Sequence, residues 1–148
     1  MSIHYRLTLA GDIPLERVAQ LIPAEATEVP APGGDRVLSA DLDDEYGYVL
    51  TLTSGVHGYY EAEADGIMWQ WEPETYVDVT FHMNKDLLTD LGRPRMLRNV
   101  AEILASTTED AALILDDNWL LLTRSGGRLQ KHNTADWDDG ELFDSRSD

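Results

Sequence analysis

The feature that most constrains this chain is a run of short alternating segments between Tyr46 and Met83, joined by only a few turn residues each. Over Tyr46–Ser54, Tyr48, Leu50 and Leu52 alternate with Val49, Thr51 and Thr53, the period-two pattern of a strand. A turn at Ser54–Gly58 leads to a strand over Tyr59–Ala64. Asp65-Gly66, a strong hairpin signal, then leads into Ile67–Glu72. Pro73-Glu74 opens a further strand, Tyr76–Met83. Pairing across Asp65-Gly66 puts Tyr60, Ala62, Trp69 and Trp71 on one face and Glu61, Glu63, Gln70 and Glu72 on the other. In the next strand Val77, Val79, Phe81 and Met83 oppose Asp78, Thr80 and His82. The reading is an antiparallel meander with one apolar face and one solvated face, the latter bearing Glu61, Glu63, Glu72 and Asp78.

The apolar face needs a cover, and helical periodicity supplies it. Leu97, Val100, Ala101 and Leu104 recur at i, i+3, i+4 and i+7, widened by Met96 and Ile103, which predicts a helix from about Pro94 to Ser106. A turn of helix around Asp86–Leu91 is expected before it. Near the start, Ile3–Leu9 alternates as a strand. Asp12 as N-cap and Pro14 in the first turn then introduce a short helix over Pro14–Ile22. Between Pro23 and Asp35 three prolines and two glycines read as a surface loop, long enough to be mobile or functional. Arg36–Leu42 is a strand. Ala111–Leu115 and Trp119–Thr123 flank the tight turn Asp116-Asp117-Asn118, and Arg128–Lys131 is a last edge strand. The expected fold class is α+β: an antiparallel β-meander sheet with two helices packed mainly on one face. Residues 1–132 form one domain, and 133–148 form an acidic, partly disordered tail.

Charge narrows the choice of partner. The 148 residues carry 28 Asp and Glu against 11 Lys and Arg, a formal net charge of −17. Six acids and one arginine after His132 account for −5, which leaves −12 on the body. Such a surface repels nucleic acid and anionic lipid, and it speeds encounter with a basic protein. There is no cysteine, which excludes thiolate catalysis, thiolate metal sites and disulfides. The amino terminus lacks the pattern of a signal peptide, and no apolar stretch is long enough to span a bilayer, so a cytoplasmic protein without membrane contact is expected. Charge alone also fits a bland reading, mere solubility.

No catalytic motif emerges. Asp41-Leu42-Asp43-Asp44-Glu45 superficially suggests a calcium loop, but Tyr46 stands where the loop needs glycine and Leu52 where it needs glutamate. His4, His57, His82 and His132 show no helical metal-ligand spacing, and no cofactor or metal is expected. His82 lies four residues from Asp78 on one strand face, where a carboxylate neighbour can tune a histidine. Ser54-Gly55-Val56-His57-Gly58 is not a nucleophile elbow, and Ala31-Pro32-Gly33-Gly34 lacks the lysine and hydroxyl of a phosphate loop. Arg93, Arg95 and Arg98 cluster at the start of the long helix, where cations oppose the helix dipole, so pairing with acids of the sheet is expected. Trp69 and Trp71 read as core under a helix, with an exposed interface anchor as the alternative.

Three stretches carry a resemblance. They are Tyr5-Arg6-Leu7-Thr8-Leu9-Ala10-Gly11; Trp69-Gln70-Trp71-Glu72-Pro73-Glu74-Thr75-Tyr76-Val77 with Val79-Thr80-Phe81; and Glu109-Asp110-Ala111-Ala112-Leu113-Ile114-Leu115 with Leu120-Leu121-Leu122-Thr123-Arg124. In this order and spacing the chain resembles the small bacterial SitI-type immunity proteins of polymorphic toxin systems, over roughly Ile3 to His132. The resemblance implies a cytoplasmic protein that neutralises a cognate toxin by binding it, with no catalytic residues to carry over. It also implies a basic nuclease as one kind of partner. The expected contact surface is Glu61, Glu63, Glu72 and Asp78 on the sheet, together with Asp41, Asp43, Asp44 and Glu45 in the acidic turn. The alternative is a small-molecule or metal site, or an enzyme, built on His82 and nearby carboxylates. Oligomeric state is not legible.

Overall fold

Alternation of apolar and polar residues makes β1 (Ile3–Ala10) a central strand, flanked by β7 (Thr75–Met83) and β8 (Ala111–Leu115). The computed structural model describes residues 3–30, 33 and 36–137. The other strands are β2 (Thr27–Val29), β3 (Val37–Leu42), β4 (Tyr48–Val56), β5 (Tyr60–Ala64), β6 (Ile67–Trp71), β9 (Trp119–Ser125) and β10 (Arg128–Lys131). They form one sheet in the order β2-β3-β4-β7-β1-β8-β9-β5-β6, with β10 pairing β9. Pairing is antiparallel throughout except between β5 and β9, which meet in parallel at Glu63 and Trp119. Part of the expected loop Pro23–Asp35 is therefore sheet: β2 pairs β3, Thr27 opposite Ser39.

The meander is corrected. β4 pairs with β7 rather than with β5, Val56 lying opposite Thr75 and Tyr48 opposite Met83. The same register runs on without a slip into β5 and β6, where Tyr60 lies opposite Trp71 and Ala64 opposite Ile67. Between the two parts the N–H of His57 donates to Glu74 O at 2.7 Å and that of Gly58 to Pro73 O at 2.9 Å. Tyr48–Met83 is thus one long hairpin that bends near its middle. Ser54–Gly58 is the bend, not a turn between neighbouring strands. Tyr76 explains the glycines there. A Cβ on Gly58 would lie 2.9 Å from the Tyr76 ring, and one on Gly55 would collide with the Tyr76 hydroxyl. At the tip, Asp65 and Gly66 both have positive φ (56° and 84°), as a two-residue hairpin turn requires.

One face of the sheet is covered by helix. Met96, Leu97, Val100, Ile103 and Leu104 of α3 are buried against Tyr5, Leu7, Leu9, Val77, Val79, Phe81 and the inward residues of β3 and β4. α3 spans Arg93–Ala105, entered through a 3₁₀ turn at Lys85–Leu87 and a π turn at Leu88–Gly92. Leu15 and Val18 bury the short helix α1 (Leu15–Ala19) in the same layer. The expectation of two helices is corrected by a third, the single turn α2 (Asp43–Tyr46), which Gly47 ends at φ 83° in the left-handed region.

The second face has its own smaller core. Ala62, Ala64, Ala112, Ile114 and Leu120 are buried there, with Tyr60, Trp69 and Trp71 packed around them. The bent arm of the hairpin, β5 and β6, supplies one side and β8 and β9 the other. Small side chains allow this approach of strand on strand: Ala62 and Ala112 are each 1% exposed. Trp69 and Trp71 are therefore core residues on the face opposite the helices, not beneath one. Of the segment 133–148, Asn133–Trp137 packs onto the domain. Trp137 is buried and its Nε1 donates to Leu121 O at 3.2 Å and to His132 O at 3.1 Å; residues 138–148 lie outside the described residues. Among the described residues no helix is long and apolar enough to cross a membrane.

Candidate functional site: the folded-back acidic arm

Two polar contacts hold the arm down. At its base the Tyr60 hydroxyl donates to the Asp78 carboxyl, 3.1 Å and 3.0 Å from its two oxygens. The Thr8 hydroxyl donates to the same group. Asp78 is thus 9% exposed, which corrects its expected place on a solvated face: the arm folds over it. Burial pushes its pKa up, against the lowering pull of Thr8, Arg6 and Tyr60. Burial and the neighbouring Asp78 charge likewise push the Tyr60 phenol up.

At the tip, Asn133 closes a latch. Its Nδ2 donates to Glu63 O at 2.9 Å and Leu120 O at 2.8 Å, and its Oδ1 accepts from the Asp65 N–H at 2.9 Å. Asp65 returns the contact, accepting from the Asn133 N–H at 2.7 Å, while His132 Nδ1 lies 3.0 Å from its other oxygen. Those bonds hold the Asp65 carboxyl below its usual range, His132 contributing most. Asn133 adopts φ 50°, a left-handed conformation that asparagine tolerates better than most residues. Sequence reasoning missed this latch, because its partners lie 68 or more residues apart along most of its bonds.

The outward side of the arm is acidic and partly apolar. Glu61, Glu63 and Glu72 are exposed. The Tyr59 hydroxyl donates to Glu61, Gln70 Nε2 lies 3.2 Å from the same carboxylate, and the Tyr59 phenol is raised mainly by Glu61. Among the described residues the exposed large hydrophobics are Val56, Tyr59, Ile67 and Met68, all on the arm or at its bend. Residues 37–84 hold ten Asp and Glu and no Lys or Arg. The acids Asp41, Asp43, Asp44 and Glu45 lie elsewhere. They line a cavity of about 470 Å³ with Pro23, Ala24 and Leu42, at the end of β4 remote from the bend. Nine residues of strand, about 30 Å, separate the two ends. The structure brings together Glu61, Glu63 and Glu72, keeps Asp41–Glu45 apart from them, and buries Asp78.

His82 has a different setting. Its Nε2 lies 3.1 Å from Thr51 Oγ1, and burial, with His4 and Arg6 nearby, pushes its pKa down. Asp78 is engaged by Thr8 and Tyr60, and Glu61 by Tyr59 and Gln70, so each of the three is bonded to a different set of partners. No group of three or more His, Asp or Glu among the described residues is placed to hold a metal ion. Of the arginine cluster, Arg93 reaches Tyr5 OH at 3.3 Å and Asp136 O at 2.9 Å and stands over the Trp137 ring, and Arg95 stands over the Tyr46 ring.

These features define the class: an α+β protein with helices on one face of a mainly antiparallel sheet and an acidic hairpin arm folded across the other. The SitI3-like family matches residues 3–141, and the chain belongs to that family, in agreement with the resemblance to SitI-type immunity proteins. No curated protein and no solved structure matches it.

Proposed function

We propose that the chain is an immunity protein that neutralises a cognate bacterial toxin by direct contact, and that the outward side of the arm is its recognition surface. The observation that carries this is one of coincidence. The arm that exposes Glu61, Glu63 and Glu72 also exposes Tyr59 and Met68 on the same side and Ile67 at its tip. Exposed apolar groups rimmed by charge mark contact sites, and apolar anchors supply the short-range energy that surface charge does not. Glu61, Glu63 and Glu72 belong to the contact. Asp41, Asp43, Asp44 and Glu45 add to the field that draws in a basic partner, such as a nuclease with a cationic cleft. Asp78 serves the fold. The protein acts by occupying the toxin, without catalysis of its own, in the cytoplasm where such a toxin would act.

The test is protection. Co-expression of the chain with a toxin domain sought in its gene neighbourhood restores growth, and the triple variant Glu61→Lys, Glu63→Lys, Glu72→Lys does not, although it folds. Full protection by that variant overturns the assignment of the surface. Absence of protection by the natural chain overturns the function.

A further inference from the structure

β6 (Ile67–Trp71) ends the sheet, and among the described residues it pairs only with β5. In a two-residue hairpin the pair that closes the turn, here Ala64 and Ile67, exchanges both backbone hydrogen bonds, and bonded pairs recur at every second residue. The backbone N–H and C=O groups of Met68 and Gln70 therefore point away from β5. Glu63, the residue opposite Met68, shows the matching geometry on the other side of the ribbon. Its N–H donates to Asn118 O at 2.8 Å and its carbonyl accepts from Asn133 Nδ2 at 2.9 Å. The outer side of β5 is used, and among the described residues the outer side of β6 is open.

Open edges are normally blunted by Lys, Pro or a bulge, because an unpaired ladder invites another chain. The edge strand β10 carries Arg128 and Lys131. β6 reads Ile-Met-Trp-Gln-Trp, holds none of these devices, and exposes Ile67 by 73% and Met68 by 58%.

We propose that the partner docks on this edge as an added strand, an extended segment in which Lys or Arg alternates with apolar residues. The period of two follows from the arm itself. On its outward face Met68 and Gln70 neighbour Glu63 and Glu61, which suits long basic side chains that lay an aliphatic stem over Met68. On its inward face exposed Ile67 offers apolar contact, beside the outer edges of the half-buried Trp69 and Trp71. Backbone bonds supply affinity and the alternating side chains supply specificity, as in other strand additions. This rests on the reading that the chain binds a protein toxin, and adds the docking element and the chemistry of the segment.

Amide hydrogen exchange of the full chain, free and saturated with a purified toxin domain sought in its gene neighbourhood, tests the proposal. The amides of Met68 and Gln70 both slow by about tenfold or more in the complex, since an added strand accepts from each of these alternating outward groups. Met68→Pro removes one outward N–H, and it weakens toxin binding by roughly tenfold or more relative to Met68→Ala. If Met68→Pro fails to fold, exchange in the natural chain still decides. Toxin that binds while both amides exchange as in the free protein overturns the added strand and leaves the immunity reading standing. Toxin that does not bind the natural chain at all removes both.

Discussion

The Tyr60 hydroxyl meets both carboxyl oxygens of Asp78, at 3.0 Å and 3.1 Å, across 18 residues of chain. Through this contact the base of the arm is tied to the middle of the sheet, and an acid expected at the surface becomes a buried acceptor for Tyr60 and Thr8. Arg6, close enough to favour the charged form, spends its own ion pair on Asp117 at 2.8 Å. Burial wins, and the pKa of Asp78 rises above the ordinary aspartate value of 3.8.

That rise fixes the sign of a pH effect. Between 3.8 and its raised value, Asp78 binds more protons in the folded chain than in the unfolded one. Its contribution to stability is therefore fully present below 3.8 and is lost as pH rises through the folded pKa. Asp78→Asn removes this dependence, whereas Asp78→Ala strands two hydroxyls and costs about 1–3 kcal/mol. Urea unfolding of the three proteins across the acidic range checks both statements. Parallel pH profiles for the natural chain and Asp78→Asn would contradict the first.

Asn133 is the tip's anchor. Asn133→Ala deletes three side-chain hydrogen bonds and leaves a buried carbonyl at Leu120 without its donor, a loss on the order of 2–3 kcal/mol. The Asp65 amide, which donates to Asn133 Oδ1, exchanges much faster in this variant, while amides of β1 and β7 exchange only as the global loss dictates. Uniform acceleration across the sheet would show that the arm is not a separate unit.

Arg124 closes the far end of α3. Its Nε, Nη1 and Nη2 donate to Glu109 O at 2.8 Å, Leu104 O at 2.6 Å and Thr107 Oγ1 at 2.8 Å. A lysine brings one ammonium in place of a three-way fork, so Arg124→Lys costs about 1–3 kcal/mol despite the retained charge. Thermal unfolding by circular dichroism measures it. A melting temperature equal to that of the natural chain would mean that the fork is redundant.

Local pattern was enough to find most strands and the long helix. Residues such as Leu50, Leu52, Val77 and Val79 alternate cleanly because one face meets α3 and the other does not. It was not enough to choose between a meander and a bent hairpin. Both share the turn at Asp65-Gly66 and the same pairing of Tyr60 with Trp71. The choice depends on Tyr76 lying over Gly55 and Gly58 and on Asn133 at the tip, contacts that no window of neighbouring residues reveals. For the same reason Asp78 looked solvated: alternation tells which side a residue faces, not what folds over that side. β2 escaped because three residues in a proline-rich stretch carry too little pattern. Glu61, Glu63 and Glu72 were legible as an exposed group because they oppose Tyr60, Ala62 and Trp71 across one ribbon.

The central claim is that an acidic, partly apolar arm receives a basic toxin, and affinity measured against ionic strength tests it most directly. A toxin domain sought in the chain's gene neighbourhood is titrated with the natural protein and with Glu61→Gln, Glu63→Gln, Glu72→Gln, at low and high salt. Removing three facing charges slows association by roughly tenfold at low salt, and the difference shrinks as salt screens the field. Equal affinities for the two proteins, unchanged by salt, would contradict the account.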